Sequence, residues 1–84
     1  MANQHYTLWV KSGCPFCVKA QQELLENIKS HTVHIMDEKT EELAEVQKLW
    51  NHLTVPVVIL HEDDHETFIG GYTELKEHLD TKDV

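Results

Sequence analysis

The nearly continuous apolar run "VPVVIL" (55–60) is the feature that most constrains the fold of this chain. Successive side chains of a strand point to opposite faces of a sheet, so an uninterrupted apolar strand is typically buried on both faces. A chain of 84 residues has room for one small domain, which we assign to residues 1–84. The run therefore predicts the central strand of a single sheet that is flanked by helices.

The segments before this run supply its partners. The alternating stretch 5–10 predicts a first strand, and residues 31–37 predict a second strand. Between them, residues 15–28 predict a helix whose buried apolar stripe is formed by Cys17, Ala20, Leu24 and Ile28. A second helix is predicted from an N-cap at Thr40 to a left-handed residue at Asn51. Its apolar face is formed by Leu43, Val46, Trp50 and Leu53.

The last third of the chain predicts a hairpin and a final helix. Residues 61–65 are a polar turn, residues 66–69 a returning strand, and Gly70-Gly71 a break before a helix that packs Tyr72, Leu75 and Leu79. The order β-α-β-α-β-β-α opens with a β-α-β unit, which implies a parallel pair with a right-handed crossover. The predicted fold class is therefore α/β, with a four-stranded mixed sheet flanked by three helices.

Composition excludes several classes of partner. The net charge is −8 and all seven basic residues are lysines, which argues against nucleic acid because phosphate binding relies on clustered Lys and Arg. The longest apolar run is too short to span a bilayer, and the first ten residues lack the pattern of a signal peptide. We expect a cytoplasmic protein that binds neither nucleic acid nor membrane.

The two cysteines, Cys14 and Cys17, have three possible uses. A structural disulfide between them would close a very short loop and remove little chain entropy, and such bonds rarely persist in the cytoplasm. A zinc site could recruit His31 and His34, but two residues separate these histidines where a zinc finger has three to five. In a strand they would also point to opposite faces. The zinc hypothesis is therefore weak.

A redox role has a clearer physical basis. Pro15 fits the first position of a helix, which makes Cys14 the N-cap. The Cys14 sulfur would then face free backbone N–H groups and the positive end of the helix dipole, which favour a thiolate. Cys17 lies one turn inside the helix and is expected to be more buried. The spacing thus predicts that Cys14 attacks and that Cys17 resolves.

Three motifs in one order extend this hypothesis: "CPFC" (14–17) with Lys11 before it, "TVP" (54–56) and "GGYTE" (70–74). Together they resemble the small dithiol glutaredoxins, from about His5 to Leu79. The resemblance implies a thioredoxin fold and a glutathione-dependent oxidoreductase that reduces protein disulfides and glutathione mixed disulfides. It implies glutathione as reductant, no metal, and disulfide-containing or glutathionylated proteins as partners of a monomer. Ribonucleotide reductase is one client of the family.

The resemblance also implies a glutathione site. Pro56 would follow a cis bond, which leaves the backbone of Val55 free to pair with the peptide as an added strand does. Lys11 would face the glycine carboxylate, and Glu74 stands where the family usually has an aspartate that meets the amine. Without the resemblance, Pro56 is a strand-starting trans proline and Lys11 a solvated lysine. The predicted site comprises Lys11, Phe16, Thr54, Val55, Pro56, Gly71, Tyr72, Thr73 and Glu74.

Two alternatives and one departure from the family remain. The chain could be a redoxin served by thioredoxin reductase, or an iron–sulfur carrier that binds its cluster through Cys14 and glutathione. The three motifs argue against the first, and the stiffness of Pro15 argues against the second. Family members often carry an arginine or lysine before "TVP", where this chain has His52. We therefore expect weak glutathione binding.

Overall fold

The computed structural model describes residues 4–52 and 54–81, which form one mixed sheet and three helices. In chain order the elements are β1 (Gln4–Val10), α1 (Pro15–Glu26), β2 (His31–Ile35), α2 (Thr40–Leu49), β3 (Val57–Glu62), β4 (His65–Gly70) and α3 (Tyr72–Thr81). The strands lie in the order β2-β1-β3-β4. β1 is parallel to β2 and antiparallel to β3, and β4 is antiparallel to β3. The predicted fold class and element order are confirmed.

β3 is buried on both faces, as the apolar run predicted. Val58 and Leu60 join the larger core cluster, to which α1 and α3 contribute their apolar sides. Val57 belongs to a second, smaller cluster with Met36 and Leu43, so that α2 covers the opposite face. The sheet is therefore sandwiched between two helices on one face and one on the other. None of the three helices is long and apolar enough to cross a membrane, over the residues described.

The end of α1 departs from the prediction. The helix ends at Glu26, and Ile28 has a φ of 54° and is 91% exposed, so it does not belong to the buried stripe. The Ile28 N–H donates to the Leu25 carbonyl and the Lys29 N–H to the Leu24 carbonyl. This pair of hydrogen bonds is a Schellman closure. A left-handed turn therefore directs Ile28 into solvent.

Other boundaries also shift. β2 ends at Ile35 rather than at residue 37, and Ile35 is exposed because β2 is an edge strand. Lys39, not Thr40, is the N-cap of α2, and no side chain caps it. The hairpin turn is shorter than residues 61–65, since β3 extends to Glu62 and β4 begins at His65. The predicted contribution of Leu53 to α2 lies outside the described residues.

Candidate active site

Cys14 is the N-cap of α1. Its backbone is extended (φ −95°, ψ 109°), Pro15 takes the first helical position, and the Cys17 N–H donates to the Cys14 sulfur at 3.3 Å. On its other side the Cys14 thiol makes a long contact of 3.9 Å with the Val55 carbonyl. The half-buried sulfur thus lies at the positive end of a helix, where a thiolate is stabilised. The predicted cap is confirmed.

Cys17 is buried, with 1% of its surface exposed, and both cysteines are free thiols. The pKa of Cys17 is raised to about 12, mainly by burial and also by its hydrogen bond to Cys14 and by the Cys14 charge, while a hydrogen bond with the Lys11 backbone acts to lower it. Two of these raising effects come from a Cys14 thiolate and disappear once Cys14 is in a disulfide. In the reduced protein Cys17 therefore keeps its proton at neutral pH.

The Val55–Pro56 peptide bond is cis, as the resemblance implied. Pro56 is buried, and Val55 packs between the two core clusters beside Cys14. Thr54 is exposed, and its carbonyl accepts a hydrogen bond of 3.2 Å from the Gln47 side chain. A side chain of α2 therefore holds the segment that faces the Cys14 sulfur.

A pocket of about 260 Å³ opens beside this segment. It is lined by Phe16, His52, Thr54, Val55, Pro56, Gly71, Tyr72, Thr73 and Glu74. These are all the residues of the predicted glutathione site except Lys11, with His52 added. Lys11 lines a second pocket of about 490 Å³, whose other lining residues include Phe16, Thr54 and Val55. The fold thus brings residues from three separate motifs into one place.

The N-terminus of α3 closes one wall of the pocket. Gly71 is its N-cap, because the Leu75 N–H donates to the Gly71 carbonyl at 3.0 Å. The Glu74 carboxylate reaches back and accepts a hydrogen bond of 2.7 Å from the Gly71 N–H, as in a capping box. Gly70 has a φ of 123°, and a Cβ there would lie 2.7 Å from the same Glu74 oxygen. Sequence reasoning missed this cap, although a glutamate three residues after an N-cap signals it.

The position of His52 follows from how α2 ends. Asn51 has a φ of 53°, its N–H donates to the Lys48 carbonyl, and the His52 N–H donates to the Gln47 carbonyl. This Schellman closure, with Asn51 left-handed as predicted, turns the chain back towards the pocket. The His52 ring is hydrogen-bonded to the Thr54 hydroxyl at 3.1 Å. An imidazole therefore stands in the pocket wall beside Gly71.

Asp37 supports the loop that precedes Cys14, a role the sequence analysis missed. The Ser12 N–H donates to the Asp37 carboxylate at 2.9 Å. Hydrogen bonds from the Ser12 side chain and backbone, and the charge of Lys11, lower the pKa of Asp37. In a β-α-β unit the end of the second strand lies beside the loop after the first, and this adjacency is the signal that could have indicated the contact.

Lys19 was also missed. The Phe16 and Tyr72 rings stack with centroids 6.1 Å apart, and the Lys19 Nζ lies 5.5 Å from one centroid and 5.9 Å from the other. The spacing of three residues between Phe16 and Lys19 on α1 indicates only part of this contact. Tyr72 belongs to α3, so its part in this contact depends on how α3 packs against α1.

The histidines considered for zinc lie elsewhere. The His31 ring is hydrogen-bonded to the Lys29 carbonyl at 2.8 Å, and the His34 ring stacks on Trp9 with centroids 5.5 Å apart. Among the described residues no group of three or more His, Cys, Asp or Glu side chains is arranged to hold a metal ion. Neither histidine joins the cysteines.

The comparisons with known proteins agree with this geometry. The family model described as Glutaredoxin matches residues 6–65. A crystal structure of glutaredoxin 1 from Francisella tularensis, complexed with cacodylate, is 28% identical, with a TM-score of 0.65 over 93% of this chain and 94% of that one. No curated protein sequence matches the chain significantly.

Two further solved structures extend the likeness. The solution structure of a dithiolic glutaredoxin from Trypanosoma brucei brucei is 33% identical, with a TM-score of 0.65 over 96% of this chain and 79% of that one. Oxidised glutaredoxin 2 from Chlamydomonas reinhardtii has a TM-score of 0.70 at 20% identity, over 96% of this chain and 74% of that one. At this low identity, the Chlamydomonas structure supports the fold alone.

Proposed function

The chain belongs to the glutaredoxin family of thiol–disulfide oxidoreductases, and we propose that it uses glutathione to reduce protein disulfides and glutathione mixed disulfides. One observation carries the proposal: the Cys14 sulfur lies at a helix N-terminus, 3.9 Å from the carbonyl of Val55, which is one of the residues that line the pocket. A nucleophile and a peptide-binding backbone are thereby adjacent. If glutathione pairs with the Val55 backbone through its own peptide groups, its sulfur comes close to the Cys14 sulfur.

The reaction proceeds by thiol–disulfide exchange. The Cys14 thiolate attacks one sulfur of a disulfide, a new Cys14 S–S bond forms, and the other sulfur leaves as a thiolate that takes up a proton. With a protein disulfide, Cys17 then attacks the Cys14 sulfur, and the second substrate thiol is released. Loss of the negative charge on Cys14 in the mixed disulfide removes part of what holds the proton on Cys17. Two glutathione molecules then reduce the Cys14–Cys17 disulfide and leave as glutathione disulfide.

We assign binding roles by position in the pocket. The backbone of Val55 pairs with the glutathione peptide, and the ring of Phe16 borders the bound thiol. The free N–H groups of Tyr72 and Thr73 at the start of α3 take the γ-glutamyl carboxylate. Glu74 uses one carboxylate oxygen to cap Gly71, so its contact with the amine has to be made by the other.

Lys11 and Thr54 complete the assignment. Lys11 supplies positive charge from the neighbouring pocket, which it shares with Thr54. Because Asp37 lies within reach of that charge, the glycine carboxylate competes with an acidic neighbour for Lys11. This competition is a second reason to expect weak glutathione binding.

The proposed partners follow from the reaction. They are glutathione and disulfide-containing or glutathionylated proteins, and ribonucleotide reductase is a candidate by family alone. Because the cycle needs reduced glutathione in excess, we propose that the protein acts in the cytoplasm. The proposed reaction uses one copy of the chain and no metal cofactor.

A direct comparison of reductants tests the proposal. The purified protein is given a disulfide substrate with either glutathione and glutathione reductase or thioredoxin reductase, and NADPH consumption is followed. We expect turnover with the glutathione system alone. Turnover that depends on thioredoxin reductase, with none from glutathione, would assign the chain to the redoxin alternative.

Replacing His52 with arginine is expected to tighten glutathione binding by up to about tenfold. A charged bidentate hydrogen bond from arginine to the glycine carboxylate of glutathione is stronger than a single hydrogen bond from a neutral imidazole. The glutathione concentration at half-maximal rate is measured at fixed ionic strength.

His65→Arg is the matched control, because it makes the same change at an exposed position in the hairpin. We expect it to leave the half-saturating concentration unchanged. Equal values for wild type and His52→Arg would show that His52 does not contact the ligand.

A further inference from the structure

Lys19, on α1, is a cation that forms no ion pair within the part of the chain that the structure describes. Its ammonium lies over the stacked rings of Phe16 and Tyr72, at 5.5 and 5.9 Å from their centroids, and Phe16 is 55% exposed. The described residues form two salt bridges, and Lys19 takes part in neither. The three side chains, here called the ring–lysine surface, therefore present an exposed Phe16 ring, stacked on a partly buried Tyr72, together with an exposed positive charge.

The ring–lysine surface borders the proposed glutathione pocket without being inside it. Phe16 and Tyr72 line the pocket, whereas Lys19 does not. Glutathione bound in the pocket would therefore touch the two rings and leave the ammonium outside. A ligand that contacts Lys19 has to approach from beyond the rings.

The chemistry of exchange brings such a ligand to this place. With a glutathionylated peptide, the Cys14 thiolate attacks the glutathione sulfur, a Cys14–glutathione disulfide forms, and the peptide thiolate leaves and takes up a proton. A second glutathione thiolate then attacks the glutathione sulfur, which regenerates Cys14 and releases glutathione disulfide. While glutathione fills the pocket, the peptide part of the substrate leaves over the pocket rim, where Phe16 and Tyr72 stand.

We propose that the ring–lysine surface docks the protein part of the substrate and selects segments that carry an acidic residue next to the reacting cysteine. The inference rests on the proposed function and names the class of protein substrate. An acidic side chain would pair with Lys19, and the neighbouring apolar atoms would cover the exposed ring of Phe16. Because the chain as a whole carries a charge of −8, an acidic segment needs a local cation in order to dock.

The test uses two glutathionylated peptides that are identical except for glutamate or lysine on each side of the cysteine. The ratio of kcat/KM for the acidic peptide to that for the basic peptide is measured for wild type, Lys19→Glu and Lys29→Glu. The last variant is the control, because it makes the same change in net charge beyond the far end of α1. We expect Lys19→Glu to lower the ratio at least about threefold relative to Lys29→Glu, which is the scale of an exposed ion pair.

Two further measurements distinguish docking of the peptide from an effect on glutathione binding: the salt dependence of the ratio and the half-saturating glutathione concentration. At about 1 M salt, where the Debye length is about 3 Å, the difference between the two variants should disappear. The half-saturating glutathione concentration should be the same in both. If both variants lower the ratio equally, only net charge matters and the docking proposal is wrong. If wild type turns over neither peptide with glutathione, the proposed function itself fails, and the docking proposal fails with it.

Discussion

Replacing Cys14 with serine should abolish all thiol transfer, whereas Cys17→Ser should still remove glutathione from mixed disulfides. Cys14 is the half-buried sulfur at the helix N-terminus, and Cys17 has 1% of its surface exposed. A buried thiol that keeps its proton cannot take over the attack on an external disulfide. Removal of glutathione from a mixed disulfide needs only one attacking thiolate and a second glutathione, so it does not require Cys17.

The two activities are measured separately on each variant. One substrate is a glutathionylated peptide, and the other is a protein with an internal disulfide. We expect Cys17→Ser to retain activity on the first and to lose most of it on the second, where the intramolecular step is needed. Equal loss of both activities in the two variants would contradict the assigned roles. Far-UV circular dichroism of both proteins controls for folding.

The sequence predicted the fold well where the signals were local and strongly patterned. The apolar run at residues 55–60 identified the central strand, which begins two residues later, at Val57. Only burial on both faces removes the successive apolar side chains of residues 57–60 from water. Ile28 was placed wrongly in the core because helical spacing alone does not show where a helix ends. Its left-handed turn is formed by a residue type that rarely adopts that conformation.

In the candidate site, too, local features were predictable from the sequence and contacts between distant elements were not. The Cys14 cap was predictable because Pro15, a neighbour in sequence, fixes the start of α1. The contact between Asp37 and Ser12 joins residues 25 positions apart, and the contact between Lys19 and Tyr72 joins α1 to α3. Such contacts depend on how elements pack, and no spacing along one element reports them.

Iodoacetamide should modify Cys14 of the reduced protein far faster than Cys17 at neutral pH, and Cys17 should stay unmodified until the solution is strongly alkaline. Alkylation requires a thiolate. A thiol with a pKa of about 12 is ionised in roughly one molecule in 10⁵ at pH 7. Cys14, in contrast, receives the Cys17 N–H and lies at the positive end of α1. The selectivity between the two sulfurs should therefore reach orders of magnitude.

Mass spectrometry measures the modification, and fragment ions are needed because cleavage after Lys11 and Lys19 leaves both cysteines in one peptide. In denaturant the two should react alike, since unfolding removes both the burial of Cys17 and the helix N-terminus beside Cys14.

The Cys14→Ser variant separates the causes that act on Cys17. Burial is the largest of them, while the hydrogen bond to Cys14 and the Cys14 charge add to it. Removing the Cys14 sulfur should therefore let Cys17 react at a lower pH than in wild type. It should still react more slowly than Cys14 does in the Cys17→Ser protein. An unchanged profile for Cys17 would mean that burial alone protects it. A mixed disulfide at Cys14 would then give Cys17 no help in losing its proton, and the proposed resolving step would lack its physical basis.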